Sequence, residues 1–344
     1  MTPQSGGQGP LLLAGDVGGT KTDVVVVSAT DGPRRPLVQR RYPSADYSSL
    51  SELAGSFLEQ VGMRVDAVCF DVAGPVVDGK VRLTNLPWEI DESSLASALS
   101  VRRARLLNDL AATASAVPLL TPEELHSVKP GEALRGTAIA VLAPGTGLGE
   151  AFLTPEAGGY QPNASEGGHA AFSPTSELEL ELLRYLWGKF DHVSVERVAS
   201  GVGIPNLYDF LRDERGVPES ERLAEQLAAT HDRTRPIVQA ALAPEPDPLA
   251  DATLALFLGI LGTEAANLAL KVLALGGVYL AGGIAQALRD VLGTPPFVDA
   301  FTKAGRFRAM LERIPVHVVM GDVALLGVAS EGLKLFAGSP AAAS

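Results

Sequence analysis

Gly15-Asp16-Val17-Gly18-Gly19-Thr20 joins an apolar run at 11–14 to another at 24–27 and holds the residue types of an anion-binding turn. Gly18 and Gly19 can adopt positive φ and bring bare backbone N–H groups close to whatever lies above them. Those donors and the Thr20 hydroxyl suit a phosphate tail, because successive backbone N–H groups form an anion-binding nest. Asp16, at a strand end, is placed to meet magnesium through water, since magnesium bound with phosphates keeps several waters. An ordinary hairpin with Asp16 capping the turn fits the same residues. A second stretch, Pro144-Gly145-Thr146-Gly147-Leu148-Gly149, repeats the pattern of strand, glycine turn with threonine, and strand. Two such units facing each other would offer two nests to one phosphate chain.

Between the turns, Asn108-Asp109 stands where a strand at 104–107 meets a helix. An aspartate there suits a helix N-cap. It also lies at the carboxyl end of a strand, where ligands gather in open sheets, and can take a proton from a substrate hydroxyl. Glu166-Gly167-Gly168-His169 lies in a polar loop. It reads either as surface or as a hydrogen-bonding loop for a polyhydroxylated ligand, with glycines that permit close approach. Companion ligands at metal-binding spacing are lacking around it. Glu196 follows Ser194 by two residues and reads as a capping-box or first-turn acid, or as a ligand group. Gly276-Gly277-Val278-Tyr279-Leu280-Ala281-Gly282-Gly283 is a strand with a glycine pair at each end; Gly282 and Gly283 can let a purine lie on the backbone, or serve close helix–strand packing.

The elements that must position these motifs are legible from the apolar pattern. Strands are expected at 11–16, 22–28, 37–42, 67–73, 80–84 and 104–107, with helices at 48–62, 91–99 and 109–117. After Pro118 the layout restarts with strands at 137–143 and 150–153. Helices follow at 175–190, 194–199, 203–213, 219–229, 232–241 and 247–275, then strands at 278–280 and 316–320 and a last helix at 324–336. That order is α/β. A chain of 344 residues, 46% hydrophobic and 20% charged, has room for two domains. Its net charge of −12 argues against nucleic-acid and anionic-membrane partners. The single cysteine, Cys69, excludes internal disulfides and thiolate zinc clusters and fits a reducing cytoplasm. No apolar run is expected to span a membrane, because glycine and charge interrupt the longest ones.

The order of the motifs resembles the bacterial glucokinases of the proteobacterial, non-ROK type, within the actin-like sugar-kinase ATPases. The resemblance covers about residues 11–336. It implies a two-domain actin-like ATPase fold, related to ribonuclease H, with ATP and a hexose meeting in an interdomain cleft. The division expected is a small domain of 11–118 plus 322–338 and a large domain of 119–321 with a helical insertion. Loose tails are expected at 1–10 and 339–344. Carried over by residue, Gly15 to Thr20, including Val17, resembles the first phosphate segment, Gly145 to Gly149 the second, and Gly276 to Ile284 the adenosine segment. Asn108 matches a sugar-binding Asn and Asp109 the catalytic Asp. Glu166, His169 and Glu196 match sugar-hydroxyl ligands, and Thr84-Asn85 a loop near the sugar. The family also implies a homodimer; Mg²⁺ is expected from the Asp16 reading, and cytoplasmic location from the composition.

Three residues depart from the family pattern. Lys21 stands where this subgroup has asparagine and resembles ROK kinases, whose cysteine-rich zinc motif this chain cannot build. Glu150 replaces a small residue after the second turn and is expected to face away from phosphates. Leu110 replaces an aromatic. The implied reaction is phosphorylation of glucose at its 6-hydroxyl by ATP. Its rivals are a non-catalytic sugar-responsive regulator, a nucleotide-switched assembly ATPase, and a kinase of another hexose or one that accepts polyphosphate as donor.

Overall fold

Unbroken apolar runs, rather than alternating ones, mark the central strands, as expected where both faces of a sheet are covered. The computed structural model describes residues 9–83 and 85–337. Most of both expected tails, and Thr84, lie outside the described residues. Gly9 and Pro10, expected to be loose, are tied to a turn: Gly9 N donates to Thr30 Oγ1 (3.1 Å), and Pro10 O accepts from Ala29 N (2.9 Å). The chain divides into two compact units. One comprises residues up to Leu120, Glu156–Ala164 and the stretch from Asp322 onward; the other comprises Thr121–Pro155 and Ser165–Gly321.

In the first unit the strands are β1 (Leu11–Val17), β2 (Lys21–Ser28), β3 (Pro36–Pro43), β4 (Ala67–Val72), β5 (Lys80–Arg82), β6 (Glu89–Asp91) and β7 (Arg103–Asn108). Five form a sheet in the order β3-β2-β1-β4-β7, while β5 and β6 make a separate ribbon. The β1–β2 hairpin is antiparallel, whereas β1–β4 and β4–β7 are parallel. Register sets Asp16 of β1 between Asp23 of β2 and Asp71 of β4. The helices are α1 (Leu50–Val61), α2 (Glu92–Ala98) and α3 (Asp109–Ala116). Leu50, Leu53 and Phe57 of α1 cluster with Leu13, Val24 and Phe70. The other face of the sheet, with Leu12 and Cys69, is covered by Ala112 of α3 and by Val328 and Ala329 of the C-terminal helix Ala324–Leu333.

A six-stranded sheet includes β8 (Leu125–Lys129), β9 (Ile139–Pro144), β10 (Leu148–Glu156), β11 (Gly159–Ser165), β12 (Val278–Leu280) and β13 (Val316–Val319), in the order β11-β10-β9-β12-β13-β8; apart from Glu156 and β11 up to Ala164, these strands belong to the second unit. Its helices begin with α4 (Glu177–Trp187), α5 (Gly203–Asp213), α6 (Glu221–Ala228), α7 (Thr234–Ala241), α8 (Pro248–Val272) and α9 (Gly282–Ala287). Contrary to the sequence reading, α8 is long and apolar enough, by length and composition, to cross a membrane. The structure uses it otherwise: Leu254, Phe257, Leu261 and Leu268 are buried in the unit's largest core cluster. The helix expected at 194–199 is only a 3-10 turn, Val195–Arg197.

Candidate functional site

Each unit carries its own cluster of the residues singled out by sequence. In the first, the β1–β2 turn is closed by Gly18 N donating to Lys21 O (2.9 Å). A buried residue that the sequence reading passed over, Ser44, braces it from behind. Its Oγ donates to Gly18 O (2.7 Å), and its N donates to Thr20 O (3.0 Å). Because the C=O and N–H of a trans peptide point opposite ways, the Gly19 N–H faces away from Ser44. Neither Gly18 nor Gly19 is in the left-handed region, so that expectation is corrected. Closeness explains them instead: a Cβ on Gly18 would lie 2.8 Å from Lys21 O, and one on Gly19 would lie 3.0 Å from Asn85 Cβ. Gly15 is interior to β1, its missing side chain leaving room for the Phe70 ring, and Val17 is buried. Lys21 and Thr20 are exposed.

Behind the turn lies a carboxylate cluster. Burial, then the charges of Asp322 and Asp23, push Asp16 up to about 6. Asp71 is fully buried, and neither oxygen has a hydrogen-bond partner of ordinary geometry among the described residues. Burial, then the Asp16 and Asp109 charges, raise it well above the usual carboxylate range. Asp23 is matched by Arg41, whose Nε stands 2.8 Å from Asp23 Oδ1. Among the described residues no trio of His, Cys, Asp or Glu is arranged to ligate a metal directly. An acid held up by like charges suits a cation carried chiefly by phosphate oxygens and water.

At the end of β7, the helix cap is Asn108 rather than Asp109. Asn108 Oδ1 accepts from Leu110 N (3.0 Å) and Ala111 N (3.2 Å), and Nδ2 donates to Gly74 O (3.2 Å). Asp109 is thereby set as the first residue of α3 and is exposed, with Oδ1 accepting from Leu110 N (2.8 Å). The helix N-terminus favours its negative charge.

In the second unit Glu166, His169 and Glu196 converge. His169 Nδ1 lies 3.8 Å from Glu166 Oε2, and His169 Nε2 lies 3.9 Å from Glu196 Oε1. Glu166 and His169 are exposed, whereas Glu196 is largely covered. The capping box proposed for Ser194 is absent. Glu196 Oε2 accepts instead from Leu148 N (3.0 Å), at the base of the second glycine turn. Two glycines make this convergence sterically possible. A Cβ on Gly147 would meet Glu196 Oε2 at 2.3 Å, and one on Gly168 would meet the Leu148 carbonyl oxygen at 2.0 Å.

The second turn, Gly145–Gly147, is closed by Gly145 N donating to Gly147 O (2.9 Å). Its outward carbonyls are taken up by Gly201 N on Gly145 O (2.8 Å) and Val202 N on Thr146 O (3.1 Å). Thr234 Oγ1 locks that segment through Gly201 O (2.6 Å). A cleft of about 970 Å³ opens here, lined by Gly145, Thr146, Val202, Gly283 and Ile284 among others. Gly282 has φ of 85°, and its backbone packs on Pro144 O, 3.0 Å from where a Cβ would sit. At Gly145 and Gly283 a Cβ would meet nothing within 4 Å, so both border open space of a size that suits a nucleoside.

The residues passed over in sequence had faint signals. Asp71 is a charge inside an apolar strand, Asp322 follows a strand through Gly321, and Ser44 follows Pro43 in an otherwise unremarked turn.

A family model described as Glucokinase matches residues 13–334. A glucokinase of Nostoc punctiforme is 39% identical over 333 residues, covering 93% of this chain and 98% of that protein. A crystal structure of glucokinase from an Antarctic psychrotroph, 32% identical, superposes with a TM-score of 0.80 and covers 94% of this chain and 99% of that one. The fold extends to a ROK family glucokinase from Streptomyces griseus, solved with glucose and AMPPNP, at 19% identity and a TM-score of 0.57, covering 94% and 99% of the two chains.

Proposed function

Because the chain belongs to the glucokinase family and is a sugar kinase of the hexokinase type, we propose that it transfers the γ-phosphoryl group of ATP to the 6-hydroxyl of glucose, with Asp109 as general base. The hydroxyl oxygen bonds to the γ-phosphorus while the bond from that phosphorus to the β,γ-bridging oxygen breaks. Asp109 takes the hydroxyl proton, and ADP leaves. Phosphoryl transfer asks for positioning and electrostatics more than covalent chemistry. The backbone donors of the two glycine turns hold the phosphates, and the open space beside Gly283 takes the adenosine. Glu166, His169, Glu196, Asn108 and Asn85 pair with the remaining sugar hydroxyls, so that an analogue lacking one leaves a buried group unpaired. Asp16 is the residue that would hold magnesium, through water, and the ion would supply neutralisation of the phosphate charge.

The observation that carries this reading is the convergence of Glu166, His169 and Glu196 beside the second glycine turn. A nucleotide-switched assembly ATPase has no use for such a cluster. The reading places the enzyme in the cytoplasm, in keeping with a lone buried thiol. Its homodimeric state rests on the family resemblance alone.

Glu196→Gln tests the sugar cluster. The amide keeps an acceptor for Leu148 N but loses the charge, and hydrogen bonds to charged groups are worth roughly 1.5–3 kcal/mol. The KM for glucose is expected to rise about ten-fold or more, with the KM for ATP little changed. An unchanged glucose KM reduces Glu196 to a brace for the turn.

A further inference from the structure

Glu150, expected from sequence to face away from phosphates, is 1% exposed and points under the sugar cluster. A Cβ on Gly167 would lie 2.0 Å from Glu150 Oε2 and 2.7 Å from its Cδ, so the carboxyl fills the space below the turn Gly167–His169. Its other neighbour is Glu264 of α8, 5% exposed. Two carboxyls thus share one buried site, and Glu150 Oε1 has no hydrogen-bond partner among the described residues.

The two acids differ in their surroundings. Glu264 has partners suited to a carboxylate: Asn267 Nδ2 donates to Oε2 (3.1 Å), and Lys271 Nζ stands 3.5 Å from Oε1. Strands β9 and β11, on either side of β10, bring no charged residue. On the turn itself the titratable groups are Glu166 and His169, and His169 stands 3.8 Å from Glu166 and 3.9 Å from Glu196. Glu150 therefore has a like charge on one side, a glycine backbone on the other and no cation of its own. Gly167 N is already spent on Ser165 Oγ (3.0 Å).

We propose that Glu150 is a positioning residue for the Glu166–His169 turn, and that it supports the turn only as the uncharged acid, so that glucose affinity falls as pH rises. The proposal rests on the reading that this turn binds the hexose. Ionisation would place a second negative charge beside Glu264, where the donors Asn267 and Lys271 are both directed at Glu264. Relief comes by moving the carboxylate toward the turn or by opening the turn to water, and either displaces Glu166 and His169. Burial, first, and then the Glu264 charge hold the Glu150 acid up to about 7, with Lys271 pulling the other way. A raised acid keeps its proton below that value, so the support is complete on the acid side and is lost on the alkaline side.

The test is steady-state kinetics of the full chain from about pH 6 to about pH 8.5, for wild type and the variants Glu150→Gln, Glu264→Gln and Glu166→Gln. In wild type the glucose KM is expected to rise on the order of ten-fold across that range. In Glu150→Gln, which carries a permanent uncharged donor, this rise disappears. In Glu264→Gln the rise moves to lower pH, because loss of the neighbouring charge eases ionisation of Glu150. A merely structural role for Glu150 would move none of these profiles. Glu166→Gln separates the two claims. A raised glucose KM there, together with superimposable wild-type and Glu150→Gln profiles, overturns the proposal alone. An unchanged KM in Glu166→Gln overturns the assignment of the turn to the hexose, and the proposal with it.

Discussion

Asp109→Ala is expected to lower kcat at least about 100-fold, the scale on which loss of a general base acts, while the KM for ATP stays near wild type. The structure allows this variant to be read as chemistry rather than misfolding. Asn108 caps α3 through Leu110 N and Ala111 N, so the helix start survives without the Asp109 carboxylate. Asp109 is exposed, and its removal opens no cavity in the core. Asp109→Asn refines the test, since it keeps an acceptor for Leu110 N but cannot take a proton at neutral pH; it should be nearly as slow. Turnover close to wild type in both variants removes Asp109 from the reaction, whatever the glucose KM does.

Gly327→Val should produce the largest loss of stability. Gly327 lies where the C-terminal helix crosses α3, and a Cβ there would sit 1.8 Å from the Ala112 carbonyl oxygen and 3.0 Å from Ala116 N. The obstructing atoms are helix backbone, which cannot rotate aside as a side chain can, so the two helices must separate. Separation also uncovers Ala112, Val328 and Ala329, which lie in the same buried cluster as Leu12 and Cys69. Overpacking costs about 1–3 kcal/mol and more where the backbone must shift; the upper end corresponds to a melting midpoint lower by roughly 6–12 °C. Differential scanning calorimetry measures it directly, and a midpoint within about one degree of wild type would contradict this account of the helix crossing.

Much of the architecture was readable because it rests on local signals. The strands of the first sheet are apolar runs bounded by glycine, proline or charge, and the structure places β1, β2, β4 and β7 within a residue or so of the pattern. The strands β8 and β11 escaped notice for the opposite reason. Leu-His-Ser-Val-Lys and Gly-Tyr-Gln-Pro-Asn-Ala-Ser lack an apolar alternation, and only pairing with a neighbour makes them strands. The short helices between Arg289 and Arg313 were also missed, being too brief to show a period.

The candidate site divides along the same line. Glycine turns and acidic residues at element ends declare themselves by type. The partners that give them purpose come from distant sequence: Ser44 behind the first turn, Asp71 and Asp322 around Asp16, and Gly201 and Val202 behind the second turn. Glu196 shows the limit best. Its spacing from Ser194 suggested a cap, yet the structure turns it to Leu148, a contact that no local pattern encodes. Lys21 is exposed at the start of β2, and its carbonyl closes the turn; nothing in the structure explains its side chain.

The central claim, that this chain spends ATP on glucose, is tested most directly by ADP formation across a panel of hexoses, with and without magnesium. The account predicts turnover that requires magnesium, is strongest with glucose and is near background without a sugar. ATP hydrolysis at the same rate whether or not any hexose is present would contradict it.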